Sequence, residues 1–308
     1  MNEFLEYHRS LLDDETRTRA YREAIRSVVK PGDIVLDLGS GSGILSFFAC
    51  EAGAAHVYAI DHSHMADVAS FLTRHLGFAD RMTVFHAESS RVELPEKANV
   101  LVTETMGVSG FDEGILGHLL DARERLLVPD AVILPRRLSL GVAPVDIPED
   151  YAKLVAWWSQ PHYGFDFAPL RVFASNVMHL VHIDTSSHLA NGADVIDVDL
   201  ATYDSRTVHG TTSFVVDRPG TLHGFATWFT ANLAGDLSID NRERRSTHWS
   251  QGFLPLERPI EVRRGARVEL EVETDDGTMW HWRGSAANKP FDQITWFGMP
   301  PCEVPPAT

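Results

Sequence analysis

Val35-Leu36-Asp37-Leu38-Gly39-Ser40-Gly41-Ser42-Gly43-Ile44-Leu45 decides how the rest of the chain is read. Ile34–Leu38 is a short apolar run, the mark of a strand covered on both faces. Glycines at 39, 41 and 43 then turn the chain and let a ligand lie against bare backbone. Ile44–Ala52 has helical character, and Gly53 stands where a helix-ending glycine belongs. Strand, glycine turn and helix predict a nucleotide-type site at the carboxyl end of the first strand of a parallel sheet.

Spacing narrows the ligand. A dinucleotide fingerprint needs glycine at its first, third and sixth positions, and the sixth position from Gly39 is Ile44. A phosphate loop would end in Gly-Lys-Ser/Thr, which is absent. Residues 37–43 instead read Asp-x-Gly-x-Gly-x-Gly, which resembles motif I of the class I S-adenosylmethionine-dependent methyltransferases. That resemblance implies a cofactor without phosphates, whose ribose needs an acid at the end of the second strand. Val57-Tyr58-Ala59-Ile60-Asp61 has apolar strand residues followed by Asp61. The competing reading is a generic doubly wound sheet with a glycine turn and no methyl donor.

The 308 residues allow a large core and one or two domains, and the net charge is −16. Such a surface repels nucleic acid and anionic membranes and favours cationic substrates, although acidity can also serve solubility alone. Two cysteines, Cys50 and Cys302, argue against a disulfide framework and suit a cytoplasmic home. The polar, charged residues 1–10 predict no signal peptide, and no apolar run approaches membrane-spanning length.

Residues 11–15 introduce a helix that an Asp can cap, with Tyr21, Ala24, Ile25 and Val28 as its apolar stripe. From Asp33 to about residue 135 strands alternate with helices, the rhythm of a parallel α/β sheet. Met82–His86 is expected as the third strand and 100–103 as the fourth. A helix over 119–127, ended by Val128-Pro129-Asp130, and a strand over 131–134 should follow. Beyond about residue 140 short alternating runs predict a β-rich second domain, a sandwich or barrel. Residues 267–273 alternate strictly, and Asp275-Asp276-Gly277 reads as a hairpin turn. Trp157, Trp158, Tyr163, Phe165 and Phe167 crowd an insert between the halves, and they need burial in the core or against another chain. Residues 303–308 read as a loose tail.

Two further stretches carry chemistry. Thr103-Glu104-Thr105-Met106-Gly107-Val108-Ser109-Gly110-Phe111-Asp112-Glu113-Gly114 follows the fourth strand, where ligands bind in such sheets. Far downstream stands Ser246-Thr247-His248-Trp249-Ser250-Gln251. Together these resemble the paired-glutamate loop and the Thr-His-Trp loop of the protein arginine methyltransferase family, and the resemblance runs almost end to end. It implies a helical cofactor-covering segment at 1–32, a Rossmann-like methyltransferase domain at 33–140, and a β-barrel domain at 141–308 with a dimerisation arm at about 151–175. It also implies S-adenosyl-L-methionine as cofactor, with S-adenosyl-L-homocysteine as product, and a homodimer.

The residues implied to hold the cofactor are Arg17, Asp37, Gly39, Ser40, Gly41, Gly43, Leu45, Asp61, His62, Ser89, Ser90 and Glu104. The usual acid near the adenine is missing at Ser89-Ser90. Substrate contacts fall on Glu104, Met106, Glu113, His248 and Trp249. The catalytic set is Glu104, Glu113, His248 and Asp14, and no metal ligands are assigned. His248 matches a histidine that meets an N-terminal Asp, here Asp14, and is either a base or a structural clasp.

The chemistry asks for such residues. A guanidinium is planar, delocalised and effectively always protonated, so its nitrogens are poor nucleophiles. A sulfonium donor is also a cation, and two carboxylates offset the repulsion while holding one nitrogen in line. The expected activity is methylation of an arginine guanidino nitrogen. The altered loop positions Thr105, Val108 and Asp112, and the short run before the first helix, lean towards free arginine or a small guanidine over protein-bound arginine. Asp112-Glu113-Gly114 resembles the monomethylating branch. The rivals are methylation of another nucleophile and a silent dimeric cofactor-binding scaffold.

Overall fold

The computed structural model describes residues 2–242 and 247–295, with side chains from Leu5 onward. Ser246, Cys302, the tail 303–308 and the side chains of Asn2 and Phe4 lie outside the described residues. The chain divides into two compact units. One comprises Met1–Leu140, Asp197–Arg206 and Trp228–Ser250; the other comprises Gly141–Ile196, Thr207–Thr227 and Gln251–Thr308.

The first unit begins with α1 (Asn2–Asp13) and α2 (Glu15–Val28), followed by β1 (Ile34–Leu38), α3 (Ile44–Ala52), β2 (His56–Asp61), α4 (Met65–His75) and β3 (Met82–His86). Then come β4 (Ala98–Thr103), α5 (Ile115–Arg125) and β5 (Leu127–Leu134). The strands form one parallel sheet in the order β3-β2-β1-β4-β5. Val35, Leu36, Val57, Ala59, Ile60, Leu101 and Val102 are buried, which is why these strands read as apolar runs without alternation. The strand order reverses between β1 and β4. The glycine turn after β1 and the glutamate loop after β4 therefore emerge side by side at the point where such sheets bind ligands.

Three local readings change. The N-terminal segment holds two helices rather than one, and Asp14 stands between them as the α2 N-cap, accepting from Arg17 N–H at 2.9 Å. α5 starts at Ile115, before the expected 119, because burial of Ile115, Leu116, Leu119 and Ala122 overrides the weak helix propensity of Gly117. It also stops at Arg125, and Leu127 enters the sheet opposite Ala98 instead of closing the helix.

The later elements are β6 (Arg137–Val145), α6 (Pro148–Leu154), α7 (Arg171–Ala174), β7 (His179–Val181), β8 (Ala193–Asp199), β9 (Thr207–Val215) and β10 (Gly220–Ala234). They continue with β11 (Leu237–Asp240), β12 (Gln251–Val262), β13 (Arg267–Asp275), β14 (Trp280–Ala286) and β15 (Lys289–Ile294). Two sheets build the barrel: β7-β12-β10-β6-β8, with β11 on β10, and β15-β14-β13-β9. β13 alternates buried and open positions, and its hairpin to β14 turns through Asp276 and Gly277, both at positive φ. By compactness, residues 197–206 and 228–250 group with the first unit. Asn241 accepts from Phe229 N–H and donates to Val108 O and Ser250 O, which ties the 228–250 stretch to the glutamate loop within the first unit.

In the second unit Tyr151 is buried, with its hydroxyl donating to Leu256 O at 2.9 Å. Trp157, Tyr163 and Phe165 stay exposed, so this chain's own core does not take them up. No helix among the described residues is long and apolar enough to cross a membrane.

Candidate active site

The glycine turn is a close-packed cradle. Gly39 and Ser40 N–H both donate to Ile60 O, at 2.9 and 3.1 Å, which locks the turn onto β2. Gly39 and Gly41 hold φ of 71° and 50°; a Cβ at Gly39 would lie 2.5 Å from Thr105 Cγ2, and one at Gly41 2.7 Å from the His8 ring. Only glycine fits both the backbone and the space. Asp61 Oδ2 accepts from Gly41 N–H at 2.8 Å, while Oδ1 accepts from Ser63 N–H at 2.8 Å and Ser63 Oγ at 2.6 Å. Asp37 lies beneath the turn, buried, with Oδ2 accepting from Ser46 Oγ at 2.6 Å and no hydrogen-bond partner on Oδ1. Burial pushes its pKa up to about 7, against the pull of the Ser46 hydrogen bonds.

Across the switch point, Arg17 Nε donates to Glu104 Oε2 at 2.7 Å and Nη2 approaches the same oxygen at 2.5 Å, both side chains being buried. Tyr21 anchors that arrangement, donating to Thr103 O at 2.9 Å. Glu113 keeps an exposed surface, yet protein atoms crowd its carboxyl. Burial, then Glu104, then Asp112 push its pKa up to about 7, with Arg17 opposing. Tyr7 is pushed up to about 12, by burial first and then by Glu113 and Glu104. Asp112 accepts from Ser109 N–H at 2.5 Å through Oδ2, a bond that folds the loop on itself.

Asp14 and His248 meet within the first unit. Asp14 Oδ2 accepts from His248 N–H and pairs with His248 Nδ1, both at 2.9 Å. Burial pushes the Asp14 pKa up, but the bonds from His248 and Arg17 N–H outweigh it and hold the carboxyl below its usual range.

A cavity of about 370 Å³ joins these parts. Its lining includes Arg17, Gly39, Ser40, Gly41, Leu45, Asp61, His62, Ser89, Glu104 and Glu113, which the sequence had singled out. Five others do not reach it: Asp14, Asp37, Gly43, Met106 and Ser90. Asp37 and Met106 are buried beneath the surface, Gly43 is the N-cap of α3, and Ser90 turns away in a short 3-10 turn. His248 and Trp249 do not line it either; Trp249 packs edge-on against Phe229, with ring centroids 4.9 Å apart. Sequence reasoning missed Tyr7, His8, Glu88 and His118. Glu88 puts an acid beside Ser89, one residue earlier than the position judged to lack one. His8 carried a signal, since His8, Leu11 and Leu12 recur at helical spacing and all three line the cavity.

The lining tests which ligand fits. Four carboxylates, Asp61, Glu88, Glu104 and Glu113, face a single arginine, and that arginine is already paired. A pyrophosphate would meet like charge, whereas a sulfonium cation would be stabilised. The cradle fits the rest of such a donor: bare backbone at Gly39 to Gly41, the buried Ser40 Oγ without a hydrogen-bond partner, and an anchored acid at the end of β2. Fold and site together define a class I S-adenosylmethionine-type methyltransferase.

The comparisons with known proteins are specific. Residues 137–284 match the model of the arginine methyltransferase oligomerization subdomain, and residues 15–129 match that of the ribosomal protein L11 methyltransferase. The chain is 31% identical to protein arginine N-methyltransferase 6 of Danio rerio over 281 residues, covering 86% of this chain and 80% of that protein. It is 30% identical to protein arginine N-methyltransferase 1 of Schizosaccharomyces pombe, covering 85% and 79%. In fold it is similar to a Trypanosoma brucei arginine methyltransferase enzyme–prozyme heterotetramer with S-adenosylhomocysteine, at a TM-score of 0.83 and 24% identity over 94% of this chain and 97% of that one. The chain belongs to the protein arginine N-methyltransferase family.

Proposed function

We propose that the chain transfers one methyl group from S-adenosylmethionine to a guanidino nitrogen of arginine, with free arginine or a small guanidine preferred over protein-bound arginine and monomethylarginine as the product. The observation that carries the arginine reading is that Glu104 and Glu113 line the same cavity as the glycine turn and Asp61. The small acceptor is supported by the loop after β4, which brings Glu104, Thr105 and Glu113 to the cavity but no aromatic ring. Monomethylation rests on the Asp112-Glu113-Gly114 pattern alone, because Asp112 bonds within the loop and does not line the cavity.

The donor supplies an electrophilic methyl carbon on a sulfonium. Gly39 to Gly41 would hold its amino-acid end beside the Arg17–Glu104 pair, with Arg17 turning one donor to the carboxylate, and Asp61 would hold its ribose hydroxyls. Glu88 and Ser89 stand at the adenine side. Glu104 and Glu113 grip guanidinium N–H groups, draw positive charge from one nitrogen and hold it in line. As the N–C bond forms and the S–C bond breaks, the nitrogen becomes acidic. Glu113, open to water, can take that proton and release it to solvent. His248 acts through Asp14 as a clasp on the start of α2, the helix that carries Arg17.

The chain is also proposed to work as a homodimer through the exposed aromatics of the 151–175 arm, which lies inside the matched oligomerization subdomain. The decisive experiment incubates the chain with isotope-labelled donor and separate pools of free arginine, small guanidines and arginine peptides, read by mass spectrometry. Labelled monomethylarginine from the free pool is expected. Label only in peptides overturns the acceptor preference, and donor binding without transfer to any pool overturns the enzymatic reading.

A further inference from the structure

On the rim of the parallel sheet stands a group of side chains that the methyl-transfer chemistry does not use. His64 precedes α4, Asp67 lies in its first turn, and His86 is the last residue of β3. His86 Nδ1 lies 3.2 Å from Asp67 Oδ1, and His64 Nδ1 lies 3.7 Å from Asp67 Oδ2. One ligand atom from each of the three falls within 4.8 Å of the others.

We propose that His64, Asp67 and His86 form a binding site for a zinc-type divalent cation. Ligand atoms on one tetrahedral zinc stand roughly 3.3 Å apart, given metal–ligand bonds of about 2.0–2.1 Å. Each imidazole stands near a different oxygen of Asp67, and one atom from each residue already lies within 4.8 Å of the others. Gathering them on one metal needs rotation of the two rings, which both histidines can make because they are at the surface. Two imidazoles with one carboxylate suit zinc and its neighbours in the first transition row, not calcium or magnesium, which prefer all-oxygen shells. His64 and Asp67 are three residues apart and share one helix face, while His86 comes from a different element, so the set pins β3 to the start of α4.

The frame beneath the site is firm. Ser63 N–H and Oγ both bond Asp61, and Met65 N–H donates to Ser63 Oγ. Asp61 and His86 are paired across β2 and β3. Water would complete the coordination shell, as it does where three protein ligands hold zinc. The net charge of −16 raises the local concentration of cations around the whole chain.

The test needs no methyl donor, so its outcome is separate from that of the methyltransferase reading. Tag-free, chelator-treated chain is titrated with zinc chloride by calorimetry, and with cobalt(II) chloride by visible absorption. One equivalent, a tetrahedral cobalt band displaced by zinc, and a zinc-dependent rise in melting temperature are expected. His64→Ala, Asp67→Asn and His86→Ala should each weaken binding roughly tenfold or more. His281→Ala, which breaks another exposed His–Asp pair, should bind as wild type does. Binding that survives all three ligand substitutions, or wild-type chain that gives neither heat nor a cobalt band, overturns the proposal.

Discussion

Arg17 directs two of its donors at one oxygen of Glu104, Oε2, and neither at Oε1. The pair fixes the Glu104 carboxylate in the cavity while leaving its second oxygen for another cation. This arrangement makes Glu104 answer both to the donor side of the cavity and to a guanidinium, whereas Glu113 has no such tie to Arg17 beyond its field.

Replacing Glu104 or Glu113 by Gln should lower single-turnover methylation by about a hundredfold to a thousandfold, the usual cost of losing one transition-state electrostatic contact. Donor affinity should fall with Glu104→Gln, through Arg17, and change little with Glu113→Gln. The double variant should lose less than the product of the two, because the pair acts as one clamp. Near-normal rates in both single variants would remove the guanidinium mechanism.

The Glu113 pKa of about 7 carries a pH signature. Below that value the carboxyl is increasingly protonated and no longer grips a cation, so kcat/KM should fall as pH drops below about 7. A bound guanidinium favours the ionised form, so the limb in kcat should lie at lower pH. Glu113→Gln should abolish both limbs, and an unchanged profile would count against the assignment.

Asp37 predicts a stability slope. Its folded-state pKa, about 7, is raised above the ordinary carboxyl value by burial, so the folded chain holds this proton more tightly than the unfolded chain. The stabilisation is fully present below the unfolded pKa and is lost as pH rises to about 7, an effect of the order of 4 kcal/mol. Asp37→Asn can still accept from Ser46 and should flatten that part of the curve. Denaturant midpoints at several pH values between 4 and 8 check it.

Asp14 and His248 should behave as a clasp. Asp14→Ala removes an N-cap, at about 1–2 kcal/mol, together with both bonds to His248. His248→Ala should lower the melting temperature, while the single-turnover rate at saturating donor and acceptor changes less than tenfold. A loss on the scale of the glutamate variants would instead mark His248 as a base.

Sedimentation should show a dimer. Tyr163→Glu and Phe165→Glu place charges on exposed aromatics of the arm and should weaken association by roughly tenfold or more. A wild-type monomer with full activity would rule out the dimer.

What could be read ahead of the structure was local and periodic. The expected strands Ile34–Leu38 and Met82–His86 match β1 and β3 end to end; β1 is covered on both faces and reads as an apolar run, whereas β3 is an edge strand with Met82 buried and Thr83 and His86 exposed. The glycine spacing and Asp61 were legible for a similar reason: a tight turn and a charged strand end each demand a particular residue type. Where the helix began the reading slipped: α5 starts at Ile115 rather than 119, because Ile115 and Leu116 are buried on the same face as Leu119 and Ala122.

The sequence alone therefore determined the parallel sheet, the glycine cradle, the strict alternation of β13 and the presence of two glutamates after β4. Only the tertiary structure decided which side chains share the cavity. Glu88 and His118 face it while Ser90 and Met106 do not, and Asp112 turns into its own loop. The return of residues 228–250 to the first unit also rests on contacts between residues far apart in the chain, such as Asn241 with Val108, whereas the meeting of Asp14 with His248 was already implied by the family resemblance. Such contacts are set by how packed elements orient their side chains, and local spacing carries no record of that orientation.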